Sequence, residues 1–550
     1  MKINKTSLYK VVTLIIFCLI GIQAQAQLLQ NKKQFTRQDS LRGGITPERA
    51  WWELQRYDLS AKVEPDEKFI SGSNQITYKV LASNNKMQID LQEPMLITKV
   101  VQNDKELKFT RDGNVYYILL QDKQLVATTK TITVFFKGHP REAKNAPWDG
   151  GFSWKKDEKG NHFIATSNQG LGASVWWPCK DHMYEEAKGM TISVNVPSNL
   201  MNVSNGRLIK VKELIDNTTT YTWQVTNPIN NYGVNINIGN YTHFGEVYSG
   251  EKGDLHMDYY VLEHHLEKAK NHFTDAPKMM KAFEHWFGPY PFYEDSFKLV
   301  EVPYLGMEHQ SSVTYGNKFK QGYLGRDLSG TGWGLKFDFI IIHEAGHEWF
   351  ANSITNKDIA DMWIHESFTA YSESLFLDYY YGKQAAQEYI IGTRRTIQND
   401  RPLIGHYNVN HEGSGDMYYK GANLLHTIRT LVDDDDKWRS ILRDMNKTFY
   451  HQTVTTKQIE DFLIEKTSIA LQKVFDQYLR DTRIPKLVLK SKGNKLVYYW
   501  ENTVDDFSMP VDVYIGNNKQ RIIPTTKKQT MKLSSKFNEV NVDDNYYIQS

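Results

Sequence analysis

Phe337-Asp338-Phe339-Ile340-Ile341-Ile342-His343-Glu344-Ala345-Gly346-His347 is the segment from which the rest of the chain becomes readable. Two histidines four residues apart on an α-helix lie about 40° apart around its axis, so both imidazoles leave from one side. The mostly apolar residues from 337 to 342 suit a buried helix. Histidine pairs at this spacing favour zinc. Glu344 stands about 100° round the helix from His343, placed to act on a water at an open coordination position without being a ligand. The five residues alone leave a second reading open, a helix whose histidines are held by local hydrogen bonds.

Glu366 follows His347 by nineteen positions, within Trp363-Ile364-His365-Glu366-Ser367-Phe368, where a second helical pattern begins. The polar stretch 352–361 serves as the turn between the two helices. Packing them together brings Glu366 to a third ligand position. Two histidines, one carboxylate and a water form a known catalytic zinc set, here one ion per chain. His365 competes as third ligand, and a surface carboxylate is the other reading of Glu366. Glu373, seven residues further on, faces the same way as Glu366. It either orients a ligand or is an exposed helix carboxylate, and spacing does not choose between them.

Three other segments belong with this one. They are Asn168-Gln169 ahead of Pro178-Cys179-Lys180-Asp181, Gly306-Met307-Glu308-His309-Gln310, and Tyr418-Tyr419-Lys420-Gly421-Ala422. His-Glu-x-x-His, eighteen residues and then Glu, continued by Glu348-Trp349-Phe350-Ala351-Asn352, resembles the aminopeptidase N family of zinc metallopeptidases, which includes the leukotriene hydrolases. Gly306 to Gln310 resembles that family's Gly-x-Met-Glu-Asn exopeptidase motif. Tyr418 to Gly421 is similar to its Tyr-x-Lys-Gly segment, and the stretch around Gln169 to the one supplying a substrate-contacting Gln. The landmarks keep the family's order over about 260 residues.

The resemblance implies an aminopeptidase with Zn2+ held by His343, His347 and Glu366. It makes Glu344 the general base and then the proton donor to the leaving amine. The Tyr418 hydroxyl would donate to the oxyanion, with Tyr419 as adjacent rival and aromatic packing as the alternative for both. Gly306, Met307, Glu308 and Gln169 would bind the substrate. Glu308 brings a negative charge and Gln169 an acceptor for a free α-ammonium, which restricts cleavage to peptides with a free N-terminus. The other reading of Glu308 is an exposed β-edge carboxylate. The chain departs from the family pattern at His309, where Asn is usual, and at His365 and Ser367, where Asn and Gly are usual. It also ends without the large helical C-terminal domain of many relatives, which implies a more open site or closure by a partner subunit. Three rival functions share parts of the pattern: a thermolysin-like endopeptidase, a lipid-epoxide hydrolase and a catalytically impaired zinc-binding scaffold.

The texture around these motifs is β, then helical, then β. Residues 51–248 carry short β-branched and aromatic runs such as Thr131-Ile132-Thr133-Val134-Phe135-Phe136, broken by turn residues. Helical periodicity runs over 263–287 to the breaker Gly288-Pro289-Tyr290-Pro291 and resumes as far as about 480. Strand texture returns from 486. The expected fold is multidomain α+β: an N-terminal antiparallel β-sandwich or saddle (51–248), a mostly helical catalytic zinc domain (249–482), which the resemblance makes thermolysin-like, and a small C-terminal β-sandwich (483–550).

Sixty-six basic against sixty-four acidic residues, with no Lys/Arg-rich block, leave nothing to attract nucleic acid or an anionic membrane. The one charge block, Asp433 to Asp436, reads as a solvated loop or helix end. Lys2, Lys5 and Lys10 precede an apolar stretch, Val11 to Ile22, and Ala24-Gln25-Ala26 has the form of a cleavage site. This reads as a secretory signal cut after Ala26, followed by an extension at 27–50 and giving a periplasmic or secreted protein. The apolar stretch is short of the roughly 20 residues needed to span a bilayer, although an uncleaved anchor is the alternative. Of two cysteines, Cys18 leaves with the signal and Cys179 remains alone. An intramolecular disulfide is then impossible, and stability must come from the core. Beside Trp176-Trp177-Pro178, Cys179 reads as buried and inert. A nucleophile is the other reading.

Overall fold

A computed structural model describes residues 34–533 and 540–550 of the chain. The signal read at 1–26 lies outside the described residues, as does the extension up to residue 33. Residues 34–50 carry two short helices, Arg37–Gly43 and Pro47–Ala50. They are pinned to the N-terminal β half by Arg42 against Asp181 at 3.1 Å and by the buried Arg49 against Asp90 at 2.7 Å.

From Trp52 the alternation of apolar and polar residues becomes sheet. Strand Trp52–Glu64 buries Tyr57, Leu59, Ala61 and Val63 while Ser60 and Lys62 stay exposed. It lies inside an eight-stranded sheet, between Phe69–Val80 and Met190–Pro197. Its pairing with Phe69–Val80 is antiparallel and that with Met190–Pro197 is parallel, so the expected antiparallel domain carries one parallel seam. A three-stranded and a four-stranded sheet complete this half, and Gly151–Lys156 paired with His162–Ser167 forms one edge of the latter. Trp52, Tyr78, Trp176, Trp177 and Trp223 fill the shared core. Cys179 is buried among them, and burial, with the nearby Asp181 and Asp90, pushes its thiol well above the usual range. That environment makes it inert.

The strand Tyr241–Gly250, within which the sequence boundary at 248 falls, pairs along its length with Gly253–Leu262. These open a mixed five-stranded sheet completed by Phe297–Glu301, Val313–Tyr315 and Gly306–Met307. Helices pack against it. The periodicity of 263–287 resolves into two, Leu266–His272 and Asp275–Phe287, and the second stops at Gly288, whose φ of 92° favours glycine. Trp363–Tyr381 is the central helix, buried all round from Trp363 to Leu377. The acidic run is a helix junction: Asp433 ends Tyr419–Val432, and the Asp434 side chain caps Asp435–Thr448 by accepting from Lys437 N.

Two three-stranded sheets form the C-terminal part, one containing Lys495–Glu501 and the other Val511–Ile515. Their Leu496, Trp500, Val511 and Val513 belong to the same continuous apolar core as the helices of the middle part. Among the described residues no helix is long and apolar enough to cross a membrane.

Candidate metal centre

The first metal helix, Phe339–Gly346, begins at a well-anchored cap. Asp338 Oδ1 accepts from Ile340 N and Ile341 N at 2.9 and 3.2 Å, and Tyr315 donates its hydroxyl to Oδ2 at 2.8 Å. Ile340, Ile341 and Ile342 bury the helix. Its regular part ends at Gly346, so His347 sits at the C-terminal cap with φ −65° and ψ −17°, still close enough to helical to face the side that His343 faces. The turn to the next helix is more structured than its polar composition implies, since Ile354–Asn356 pairs in parallel with Gln452–Val454. Gly346 lets the two metal helices close together, because a Cβ there would lie 2.7 Å from Ser372 Oγ and 3.2 Å from Thr369 Cγ2.

That closure brings Glu366 Oε2 to 3.7 Å from His343 Nε2 and 3.4 Å from His347 Nε2. Ligand atoms held tetrahedrally at 2.0–2.1 Å from zinc are ~3.3 Å apart. These separations therefore fit a shared ion better than a network of direct hydrogen bonds, and the buried Glu366 Oε2 has no hydrogen-bond partner. The other side of each ring is already engaged. His343 Nδ1 meets Glu373 Oε1 at 2.7 Å, and Tyr389 donates to Glu373 Oε2 at 2.6 Å. His347 Nδ1 lies 3.0 Å from the Phe350 carbonyl and 3.0 Å from the Thr369 hydroxyl. A carbonyl only accepts, so Nδ1 carries the proton and Nε2 presents its lone pair. Glu373 is thus a fully buried orienting carboxylate. His365 is turned away, its Nε2 accepting from Asn356 N at 2.7 Å.

Glu308 and Glu344 approach the same place, each offering an oxygen within 4.8 Å of the other's and of a His347 nitrogen. Glu308 is buried and not an exposed edge carboxylate. Among the described residues no Lys or Arg pairs with Glu308, Glu344 or Glu366. Buried carboxylates without a counter-charge are costly, and a divalent cation balances them. Two imidazole nitrogens and a carboxylate oxygen are a donor set suited to zinc. The residues present therefore fit the ion.

Gln169 donates its amide N–H to Glu308 Oε1 at 2.5 Å and to Glu366 Oε1 at 3.0 Å. Carboxylates only accept, so the amide nitrogen faces them, and the amide oxygen is the atom left to accept from an ammonium. Gly306 packs directly on the general-base candidate, where a Cβ would lie 2.6 Å from Ile340 Cγ2 and 3.2 Å from Glu344 Oε1. Met307 is buried with Ala165, Tyr232, Val302 and Tyr304.

Tyr418 stacks on His343 with ring centroids 5.9 Å apart. Burial, then the charges of Glu366, Glu308 and Glu344, push its phenol well above the usual range, so it remains an O–H donor. Tyr419, also buried, lies instead near Glu373 and Tyr389. Ser367 holds the segment leading into Tyr418 by donating to the Met417 carbonyl at 2.6 Å. Gly421 leaves room for it, since a Cβ there would fall 1.8 Å from Ser367 Oγ. His309 is fully buried, and burial pushes it down to about 3, so it is neutral. Sequence reasoning missed Thr369, Tyr389 and Tyr232, whose phenol is raised by burial and by the charges of Glu308 and Glu366. Thr369 was within reach as the position three beyond Glu366 on the same helix. Tyr232 carries no local signal.

The chain matches the Peptidase M1 N-terminal domain over residues 54–232 and the Peptidase family M1 domain over residues 272–478. It is 21% identical over 441 residues to "Probable aminopeptidase 1" of Saccharolobus solfataricus, covering 76% of this chain and 53% of that one. It is 24% identical over 287 residues to the leukotriene A-4 hydrolase of Xenopus laevis, covering 49% and 44%. The chain spans about half the length of the curated relatives it matches. Its fold is shared with an M1 zinc metallopeptidase from Deinococcus radiodurans, solved as a mutant with a Tyr-Ser-Ala substrate, at a TM-score of 0.65 and 19% identity over 79% of this chain and 95% of that one. With matches to both an N-terminal and a catalytic domain of one family, in order along one chain and around a single His-His-Glu centre, the protein belongs to peptidase family M1.

Proposed function

We propose that this protein is a zinc aminopeptidase that removes the N-terminal residue from peptides. The observation that carries the reading is Glu308, a buried carboxylate tied through Gln169 to Glu366 and standing beside the histidine ligands. An anion at fixed reach from the metal centre is what recognition of a free α-ammonium requires. His343, His347 and Glu366 would hold the ion, which when bound acidifies water and polarises the scissile carbonyl.

The remaining steps fall to the chain's own groups. The Glu344 carboxylate takes a proton from the attacking water and passes it to the leaving amine nitrogen. The Tyr418 hydroxyl donates to the oxygen that gains charge as the carbonyl is attacked. Glu308 pairs with the substrate ammonium, and Gln169 keeps Glu308 and Glu366 in register. Glu373, backed by Tyr389, holds the His343 ring in the orientation that frees Nε2.

A chromogenic aminoacyl amide compared with its N-acetylated twin tests the reading. The free amine form is expected to turn over and the acetylated form to resist. Equal cleavage of both overturns the aminopeptidase reading in favour of an endopeptidase. Turnover of a lipid epoxide with no peptide cleavage overturns it in favour of an epoxide hydrolase. We also propose that the enzyme works outside the cytoplasm, on the strength of the Lys-flanked apolar stretch and Ala24-Gln25-Ala26. N-terminal sequencing of the protein recovered from its own cells should then begin at Gln27, and an intact Met1 would contradict it.

A further inference from the structure

A second set of side chains of metal-ligating type, from residues other than those of the first centre, meets where the N-terminal β half faces the catalytic half. His264 and His265 follow strand Gly253–Leu262 in one short turn, Glu263–His265, with ring centroids 4.3 Å apart. Glu158 faces them from the turn between strands Gly151–Lys156 and His162–Ser167. One ligand atom from each of Glu158, His264 and His265 lies within 4.8 Å of the other two.

The hydrogen bonds around this group resemble those at the first centre. His265 Nδ1 meets Glu301 Oε1 at 2.7 Å, and Glu301 is itself buried, its Oε2 accepting from Leu262 N at 2.9 Å. A carboxylate behind Nδ1 fixes the ring and leaves the Nε2 lone pair as the ligand atom, as Glu373 does for His343. His264 Nε2 lies 2.8 Å from Glu158 Oε2. That contact holds a proton where an ion would sit. The Glu158 side chain is 70% exposed, so it is free to withdraw the ~0.5 Å that takes this spacing to the ~3.3 Å of tetrahedral zinc.

We propose that Glu158, His264 and His265 form a second zinc site, distinct from the catalytic centre, in which the ion clamps the N-terminal half to the catalytic half. Two imidazole nitrogens with one carboxylate oxygen select zinc over calcium or magnesium, which take oxygen donors. A solvent-facing route exists, because Glu158 and His265 line a cleft of about 710 Å³. Lys155, Lys156 and Lys268 line the same cleft, and their positive charge makes this site the weaker of the two.

The test is zinc stoichiometry on the full-length protein, stripped of metal, dialysed against excess Zn2+ and assayed by mass spectrometry. Two zinc ions per chain are expected. His264→Ala and Glu158→Gln should each hold one while keeping aminoacyl amide turnover. His343→Ala should also hold one, at the second site, so loss of this proposal and loss of the aminopeptidase reading are told apart. Loading His343→Ala with Co2+ should give visible d–d absorption that disappears when His264→Ala is added. A single zinc in the parent protein would overturn the proposal. So would a second zinc that persists in the His264→Ala, His265→Ala double variant, which would mark adventitious surface binding.

Discussion

Glu344 and Tyr418 are given separate chemical tasks, and their smallest possible substitutions distinguish them. Glu344→Gln keeps the shape and the metal ligands but removes the proton acceptor. It should retain a full equivalent of zinc at the catalytic centre and lose activity by about 10²–10⁴-fold. Parent-like turnover in that variant would remove Glu344 from the mechanism. Tyr418→Phe removes one donor to the developing oxyanion, a loss of about 2.7–4 kcal/mol, so kcat should fall about 10²–10³-fold with KM little changed. Tyr419→Phe should lose far less, because that phenol lies near Glu373 and Tyr389 and not in the field of Glu344 and Glu308. Steady-state kinetics on the three variants, each with its metal content measured, decides the assignment.

At the scale of the element, the centre depends on how closely two helices approach. His343 and His347 come from one helix and its cap, Glu366 from the other, and Gly346 faces Thr369 and Ser372 across the gap. Ser372 Oγ already donates to the Thr369 carbonyl at 2.6 Å, so it has little freedom to give way. Gly346→Val should therefore separate the helices, lengthen the Nε2 to Oε2 spacings and weaken zinc binding by at least tenfold, as read by competition with a chelator. Unchanged affinity in the folded variant would show that the helices tolerate a wider gap. The Asp338 cap is a second lever on the same element. Asp338→Ala forfeits the two cap bonds and leaves the buried Tyr315 hydroxyl without its acceptor, for a loss of about 1–3 kcal/mol in chemical denaturation.

Over the whole molecule, several buried histidines couple stability to pH. Burial pushes His182, His309 and His426 down to about 3. A histidine depressed below its unfolded pKa of about 6.5 takes up a proton on unfolding, so each one loses stability as pH falls from 6.5 towards 3, by ~1.4 kcal/mol per pH unit. Buried Glu186 and Glu348, raised to about 7 and about 8, act in the opposite sense. They favour the folded state as pH falls to about 4.5, where the unfolded carboxyls also protonate. Acid sensitivity should therefore steepen below about pH 4.5. His426 isolates one contribution: its Nε2 meets Asn545 Oδ1 at 2.9 Å, between the helix Tyr419–Val432 and the C-terminal segment, with Arg429 and Arg394 opposing its protonation. His426→Gln preserves a donor to Asn545 without a titrating ring. The stability difference between parent and variant should move by ~2 kcal/mol between pH 6.5 and pH 5 in the variant's favour. A constant difference would show that His426 protonates freely in the folded state.

What the chain announced by itself is what local periodicity and short motifs encode. Residues four apart on a helix must share a side, so His343, His347 and the placement of Glu344 could be read without coordinates. The return of helical pattern at Trp363 likewise marked Glu366, and the change of texture at 263 and 486 marked the helical middle between two β parts. Three-dimensional packing decided everything that depends on which distant segment lies opposite a side chain. Spacing could not choose whether Glu373 is exposed or holds His343, because the answer lies in the partner helix. It could not show that the Gln169 amide nitrogen donates to two carboxylates, since these come from residues 308 and 366. Nor could it join Glu158 to His264 and His265, or merge the C-terminal strands into the core of the catalytic helices. Helical phase is a property of a few consecutive residues, whereas a hydrogen-bond partner is a property of the whole packed chain.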